Sequence, residues 1–293
     1  MKIAIIGTGN LGCSIATGLI TQNAITSLYL TRRNLENIKE YEGYSNVFLT
    51  SDNRKVVNNS DILIFAVQPA HLEGILHTIK DLLTEKHVII STITGYSVSK
   101  IENSVGKDKY VIRAMPNTAI AVSKSMTCLC SNKKGAERIK IAEAIFNRLG
   151  TSIIIPESQM QAATVICASG VAFWMRLIRA TTQAAIQLGF DAQEAQKLSM
   201  YTSEGAAQLL IATGNHPEEE IDRVTTPNGC TIEGLNEMEH KGLSSSLIQG
   251  MVASFNKINS IKTDQILVYL MYIRYLILSL IQLKMFLFMT SMG

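Results

Sequence analysis

The sequence predicts an α/β nucleotide-binding domain followed by an all-helical domain. Three observations carry this. Short apolar, β-branched runs alternate with helical stretches from residue 2 to about residue 155. The first run leads directly into a glycine-rich loop and then a helix. Beyond Pro156 few residues break a helix for long, and small residues recur in the manner of closely packed helices. The expected divisions are 1–156 for the α/β domain, 157–264 for the helical domain and 265–293 for an apolar tail.

Lys2 to Ile6 reads as a buried parallel strand because its apolar residues are continuous. Gly7-Thr8-Gly9-Asn10-Leu11-Gly12 follows at once, and Ser14 to Ile20 reads as a helix. A G-x-G-x-x-G between a strand and a helix is the context in which the motif binds a dinucleotide, on a Rossmann-type fold. Gly7 allows the tight turn, Gly9 the approach of a pyrophosphate, and Gly12 close helix–strand packing. The next strand is Ser27 to Thr31. An NAD-binding fold places an acid about 20 residues past the glycines to bond the ribose 2′-hydroxyl. Thr31-Arg32-Arg33-Asn34 stands there instead. Two guanidinium groups beside short polar side chains suit a 2′-phosphate, which favours NADPH over NADH. The alternative is that the arginines are merely exposed and NADH is used.

Asp61 to Val67 is a strand ending in Gln68-Pro69, Val88 to Ser91 is another with Thr94-Gly95 at its exit, and Tyr110 to Met115 runs into Pro116-Asn117-Thr118. Open α/β sheets bind ligands outside the carboxyl ends of their strands. Ala66, Val67, Gln68, Pro69, Thr94, Gly95, Met115, Pro116 and Asn117 therefore join Gly7 to Gly12 and Thr31 to Arg33 as candidate cofactor residues. Thr151 to Ile155 reads as the last strand, stopped by Pro156. In the helical region Ala162-Ala163, Ala184-Ala185 and Gly205-Ala206-Ala207 allow close packing, and Gly189 and Gly214 read as helix stops. Asn215 to Glu220 reads as a loop opening an acidic first turn, whose glutamates complement the helix dipole rather than bind a metal. His216 receives no role.

A formal net charge of +3 and the lack of a dense Lys/Arg run argue against a nucleic-acid partner. Cys13, Cys128, Cys130, Cys167 and Cys230 are odd in number and scattered, with no C-x-x-C pair, which argues against a metal site or a disulfide framework. Free thiols and an N-terminus without a signal-peptide layout fit the cytoplasm.

The most informative stretch is Thr225-Thr226-Pro227-Asn228-Gly229-Cys230-Thr231-Ile232-Glu233-Gly234-Leu235. Pro227 presets φ, and Asn228 and Gly229 tolerate φ > 0, so the chain turns tightly. Thr231 then stands at a helix start among free backbone N–H groups. Two readings follow: a Thr-capped helix start, or an anion site whose Thr hydroxyl bonds a polar ligand atom.

This stretch closely resembles the Thr-x-Pro-Gly-Gly-x-Thr-x-x-Gly-Leu signature of the pyrroline-5-carboxylate reductases, with Asn228 in place of the first Gly of the pair. Arg113 to Thr118 matches that family's Arg-x-Met-Pro-Asn-Thr run. Thr164 to Phe173 is similar to its Thr-x-x-Ser-Gly-Ser-Gly-Pro-Ala-Tyr run: Ser169, Gly170 and Ala172 match, while Cys167, Ala168 and Val171 depart. Gln68 stands where the family usually has Lys, keeping a donor and losing the charge. The resemblance covers residues 1–264.

It implies NAD(P)H-dependent reduction of L-1-pyrroline-5-carboxylate to L-proline, the last step of proline biosynthesis. It also implies a substrate site of Thr226, Gly229, Cys230, Thr231 and Ser169. The amides around Gly229 to Thr231 take the carboxylate, and the hydroxyl of Thr231, the catalytic candidate, faces the ring nitrogen. A Thr hydroxyl is too weak an acid to be a free proton source, so Thr231 orients substrate or relays a proton from water. No His, Lys or carboxylate stands out as a general acid, which suits a substrate that arrives protonated. The resemblance further implies at least a homodimer through the helical domain, with the site completed across that interface. Two alternatives remain: a reductase of the same fold acting on another imine or keto acid, suggested by Cys167, Ala168 and Val171, and a nonenzymatic NADP-binding paralogue.

Residues Ile266 to Gly293 are almost wholly apolar, broken by Arg274 and Lys284. As a helix they would reach roughly 40 Å, enough to cross a bilayer. Three readings of this tail stay open: a membrane anchor, an extra helix packed on a dimer, or a shifted reading frame without selected structure. No membrane role is expected unless the tail is a true anchor.

Overall fold

The computed structural model describes residues 1–23 and 25–260. The readings of the apolar tail, 265–293, fall outside the described residues.

The described residues form one eight-stranded sheet. Its strands are β1 (Lys2–Ile6), β2 (Ser27–Thr31), β3 (Val47–Thr50), β4 (Ile62–Phe65), β5 (Val88–Ser91), β6 (Tyr110–Met115), β7 (Ser125–Ser131) and β8 (Gly150–Ile154). The spatial order is β3-β2-β1-β4-β5-β6-β7-β8. Strands β3 to β6 along that order pair in parallel, whereas β7 runs antiparallel to β6 and β8 parallel to β7. The order reverses between β1 and β4, where Ile6 pairs with Thr31 on one side and Phe65 on the other. That reversal opens the crevice in which such sheets bind ligands.

Helices cover both faces, which is why β4, β5 and β6 are buried along their whole length. On one face, α1 (Asn10–Thr21) and α5 (Ile139–Asn147) set Ile15, Leu19, Ile145 and Phe146 against Ile3, Ile5, Ile64 and Ile112. On the other, α2 (Asn53–Asn59), α3 (Pro69–Ile79) and α4 (Val98–Val105) set Val57, Leu76 and Ile101 against Ala4, Leu63, Ile89 and Val111.

The structure corrects the strand inventory in three places. The third expected strand ends at Phe65 rather than Val67, because the chain leaves the ladder there to cap α3 with Gln68. Strands β3 and β7 were not expected. β3 is a short outer strand whose Phe48 faces solvent and stacks on Tyr29, and β7 is built from Ser-Met-Thr-Cys-Leu-Cys-Ser, which carries little β-branched signal.

After β8 the chain turns helical through α6 (Met160–Ala163), a π-helical turn over Thr164–Ser169, and α7 (Gly170–Gln187). The π-helical turn is a local irregularity in a stretch that the sequence reads as helical with few breaks. Gly189 then adopts φ +109° and α8 (Ala192–Thr213) folds back along α7. Gly214 ends α8 in the left-handed region, as expected of a helix stop. Two further helices follow, α9 (Pro217–Val224) and α10 (Cys230–His240), and the chain is helical again over 243–260. His216 does have a role: its Nδ1 accepts the N–H of Glu218, capping α9. In the acidic first turn, Glu219 and Glu220 both pair with Arg223 one turn on.

The helical half buries very little. On α7 only Gly170 and Thr182 are buried, and on α8 only Ala195 and Ser199. Large apolar side chains are correspondingly open, including Trp174 at 62%, Leu188 at 81% and Ile211 at 74% exposure. By length and composition the continuous helical run Glu157–Gln187 could also cross a membrane, a test that core helices of soluble proteins pass as well.

Candidate functional site

The glycine loop is built from behind by β2. Its amides at Gly7 and Thr8 donate to the Thr31 carbonyl at 3.2 and 2.9 Å, and Thr8 Oγ1 donates to the same oxygen at 3.1 Å. Thr31 is therefore buried under the loop and shapes it rather than facing the crevice. Gly7 holds φ +93°, and a β-carbon there would collide with Cγ1 of Val67, so no other residue fits. On Gly12 a β-carbon would strike the Gly7 carbonyl, which accounts for the close packing of α1 on the loop. Gly9 differs: a β-carbon there meets nothing within 4 Å. The backbone is thus open at the one glycine expected to admit a pyrophosphate, in front of the free N–H groups of the first turn of α1. The loop fits a dinucleotide.

The two arginines are not equivalent. Arg32 Nη1 donates to the Thr8 carbonyl at 2.8 Å and to the Asn37 carbonyl at 3.4 Å, bracing the glycine loop. Arg33 is exposed and has no hydrogen bond or ion pair among the described residues. Asn34 Oδ1 accepts the Glu36 N–H and caps the 3₁₀ turn Leu35–Tyr41. Of the two, Arg33 is the guanidinium without an internal partner among the described residues, while Arg32 holds the loop.

At the neighbouring strand exits, Ala66 and Val67 are half-buried, while Gln68 and Pro69 are exposed at the start of α3. Thr94 Oγ1 lies 3.8 Å from Met115 Sδ, and Gly95 turns with φ +75°. Pro69, Thr94 and Gly95 line a cavity of about 770 Å³ that runs on past Tyr96, Lys100 and Ile258. Met115, Pro116 and Asn117 are buried. Asn117 bonds internally: Oδ1 accepts the Ala119 N–H at 2.9 Å, and Nδ2 donates to the Cys167 carbonyl at 2.9 Å. It joins the β6 exit loop to the π-helical turn that carries Ser169.

A second tie was not legible in the sequence. Arg113 on β6 is 5% exposed and pairs with Glu157 Oε1 at 2.8 Å, and the same oxygen accepts the Val98 N–H at 2.7 Å. Glu157 thereby fastens the start of the helical half to β6 and to the N-terminus of α4. Among the described residues Arg113 Nε has no partner.

The Thr225–Leu235 stretch folds as its residues suggest. The Gly229 N–H donates to the Thr226 carbonyl at 2.9 Å, closing a turn in which Asn228 takes φ +56°. Asn228 thus supplies the left-handed position. Gly229 sits at φ −82° and is needed for space instead, because a β-carbon would meet Thr226 Oγ1. Gly229 is also the N-cap of α10 and provides no side-chain cap, so the amides beginning at Cys230 are open. Of the two readings for Thr231, the capped helix start is excluded: Thr231 lies inside the first turn, exposed. Among the described residues neither α9 nor α10 packs extensively on the sheet. One chain therefore presents the nucleotide loop and the Thr226–Thr231 turn as separate pieces, with Ser169 near the junction.

A family model described as pyrroline-5-carboxylate reductase dimerisation matches residues 157–261, and one described as NADP oxidoreductase coenzyme F420-dependent matches residues 2–95. Pyrroline-5-carboxylate reductase 2 of Dictyostelium discoideum is 43% identical over 273 residues, covering 87% of this chain and 91% of that protein. Pyrroline-5-carboxylate reductase 1 of the same organism is 43% identical over 279 residues, and there the match spans only 50% of the relative. Among solved structures, a pyrroline-5-carboxylate reductase from Coxiella burnetii superposes with a TM-score of 0.81 at 29% identity, covering 88% of this chain and 97% of that one.

Proposed function

The chain belongs to the pyrroline-5-carboxylate reductase family, and on that premise we propose that it reduces L-1-pyrroline-5-carboxylate to L-proline with NADPH as a homo-oligomer. The observation that carries this reading is the uncapped start of α10 behind the Asn228 turn, with the Thr231 hydroxyl beside it. Open amides at a helix N-terminus suit a carboxylate, and a neutral hydroxyl suits a ring nitrogen that changes from iminium to amine.

Bound NADPH supplies the hydride that converts the C=N carbon to CH₂. The chain's own residues do the rest. Gly7, Gly9 and Gly12 shape the loop for the pyrophosphate, Arg33 meets the 2′-phosphate, and Arg32 keeps the loop in place. The amides of Cys230 and Thr231 hold the carboxylate, and Thr231 orients the ring nitrogen. Ser169 lies in the segment that Asn117 ties to the β6 exit, which supports it as a residue lining the substrate site. The two halves meet when a second chain covers the open faces of α7 and α8, in keeping with the dimerisation model that this region matches.

Spectrophotometric oxidation of NADPH with pyrroline-5-carboxylate tests the reaction. Turnover with proline as product is expected, and binding of NADPH without oxidation by any imine would sink it. A second reading, reduction of another imine or a keto acid, rests on Cys167, Ala168 and Val171, which cluster at the π-helical turn and the start of α7. A panel of cyclic imines and keto acids separates the two by which ring is turned over fastest.

A further inference from the structure

We propose that Cys128 and Cys167 form a reversible disulfide site that locks the π-helical turn to the sheet and slows the enzyme. These residues lie 39 positions apart in sequence, yet the fold sets their sulfurs at 3.7 Å. Both thiols are free in this structure. Bonding requires closure to about 2.05 Å, a movement of roughly 1.7 Å.

The sheet cannot supply that movement. Cys128 is buried on β7, paired with Met115 of β6 on one side and Ile153 of β8 on the other. The π-helical turn can supply it, since its wider hydrogen-bond ring is an irregularity within an α-helix that shifts at lower cost than a laddered strand. Cys167 is half-buried on that turn, so a small oxidant reaches it first.

The chemistry balances with a hydroperoxide as oxidant. The Cys167 thiolate attacks one peroxide oxygen, breaks the O–O bond and becomes a sulfenic acid, and the leaving hydroxide takes a proton to form water. The Cys128 sulfur then attacks the Cys167 sulfur. The S–S bond forms, the S–O bond breaks, and the departing hydroxide takes the Cys128 proton as a second water. Two thiols are oxidised and one peroxide is reduced. Exposure assigns these roles, Cys167 being half-buried and Cys128 buried, and the contact between the two sulfurs agrees: it holds Cys167 down to about 7, whereas that contact and burial push Cys128 up.

The bond acts on function through shared contacts. The Cys167 carbonyl accepts from Asn117 Nδ2, the Asn117 N–H donates to Ser125 Oγ at the start of β7, and Ser169 follows two residues after Cys167. Drawing Cys167 toward β7 shifts the β6 exit loop and Ser169 together. The effect on turnover rests on the reaction proposed above; formation of the bond does not.

The test treats the full-length chain with stoichiometric hydrogen peroxide and maps unreduced peptides by mass spectrometry alongside NADPH oxidation. A peptide pair joined through Cys128 and Cys167 is expected, with turnover lowered roughly tenfold by displacement of site residues, both reversed by dithiothreitol. Cys128→Ser is expected to keep basal turnover while losing the linked pair and the reversible inhibition. Cys167→Ser, at the half-buried partner, is expected to lose the linkage as well. Absence of the linked pair would overturn the site, as would equal reversible inhibition of Cys128→Ser through exposed Cys230 or another thiol. A linked pair that leaves turnover unchanged would overturn the inhibitory effect. If the chain reduced no imine, the linked pair would still appear, which distinguishes failure of that reaction from failure of the site.

Discussion

The nucleotide half and the helical half of this chain reach their structures by different means. In the first, every central strand is buried on both faces by helices of the same chain, and the glycine loop is held by Thr31 and Arg32 from within. In the second, α7 and α8 pack on each other and leave Trp174, Leu188, Tyr201 and Ile211 in solvent. A water-facing surface of that kind marks an interface. The contrast teaches that the nucleotide half completes its core within one chain, whereas the helical half leaves apolar faces for a second chain to cover, in accord with its match to a dimerisation model.

The comparison breaks most completely if turnover survives in a monomer. Trp174→Glu combined with Ile211→Glu places charges on the open faces without touching a buried residue. It should give a monomer by sedimentation and abolish NADPH oxidation, while the nucleotide's own fluorescence still changes on binding as it does with the parent chain. A fully active monomer would overturn the division of labour. The next largest effect should come from Thr231→Ala, which removes one oriented hydroxyl from the substrate half. Turnover should fall by about 10²-fold, in line with the loss of one positioned hydrogen-bonding group, with NADPH affinity nearly intact. Unchanged turnover would remove Thr231 from the mechanism.

Arg33→Ala sharpens the other side of the comparison. Losing a charge-assisted contact of roughly 1.5 kcal/mol should weaken NADPH about tenfold and leave NADH affinity nearly unchanged. Equal loss for both nucleotides would assign the 2′-phosphate to Arg32 instead. The smallest effect concerns the stability of the nucleotide half. His87 is buried; its Nδ1 accepts the Thr84 N–H at 2.9 Å and its Nε2 bonds the Val57 carbonyl at 3.1 Å. Burial pushes this imidazole below its ordinary value of 6.5, so the fold favours the neutral ring. The unfolded chain therefore takes up the proton first as pH falls. Stability from His87 is present above about pH 6.5 and is lost as pH drops below it. Thermal unfolding across that range should show Tm declining on the acid side, and His87→Gln should flatten the decline. An equally steep decline in the variant would place the acid sensitivity elsewhere.

Much of the nucleotide half was legible because its signals are local. The strand–Gly7-x-Gly9-x-x-Gly12–helix order, the missing acid after β2 and the apolar runs of β1, β4, β5 and β6 are all contiguous in sequence. The Thr226–Gly229 turn was legible for the same reason: Pro227 and Asn228 restrict their own backbone. Strand β7 was not, because its Ser, Thr and Cys side chains become a strand only by pairing antiparallel to β6. The tie from Asn117 to Cys167 was not legible either, since its partner lies 50 residues away.

By itself, then, the sequence determined the strand–glycine loop–helix start, the strands β1, β2, β4, β5, β6 and β8, the Asn228 turn, and the family to which the chain belongs. Those features depend on backbone preferences and spacings within a few residues. Only the tertiary structure decided that Arg32 braces the loop while Arg33 stays free, that Glu157 fastens the helical half to Arg113, and that two scattered cysteines meet. The contacts among these join groups from different elements, and the cost of closing the intervening chain is met by the packing of the whole sheet rather than by any local preference.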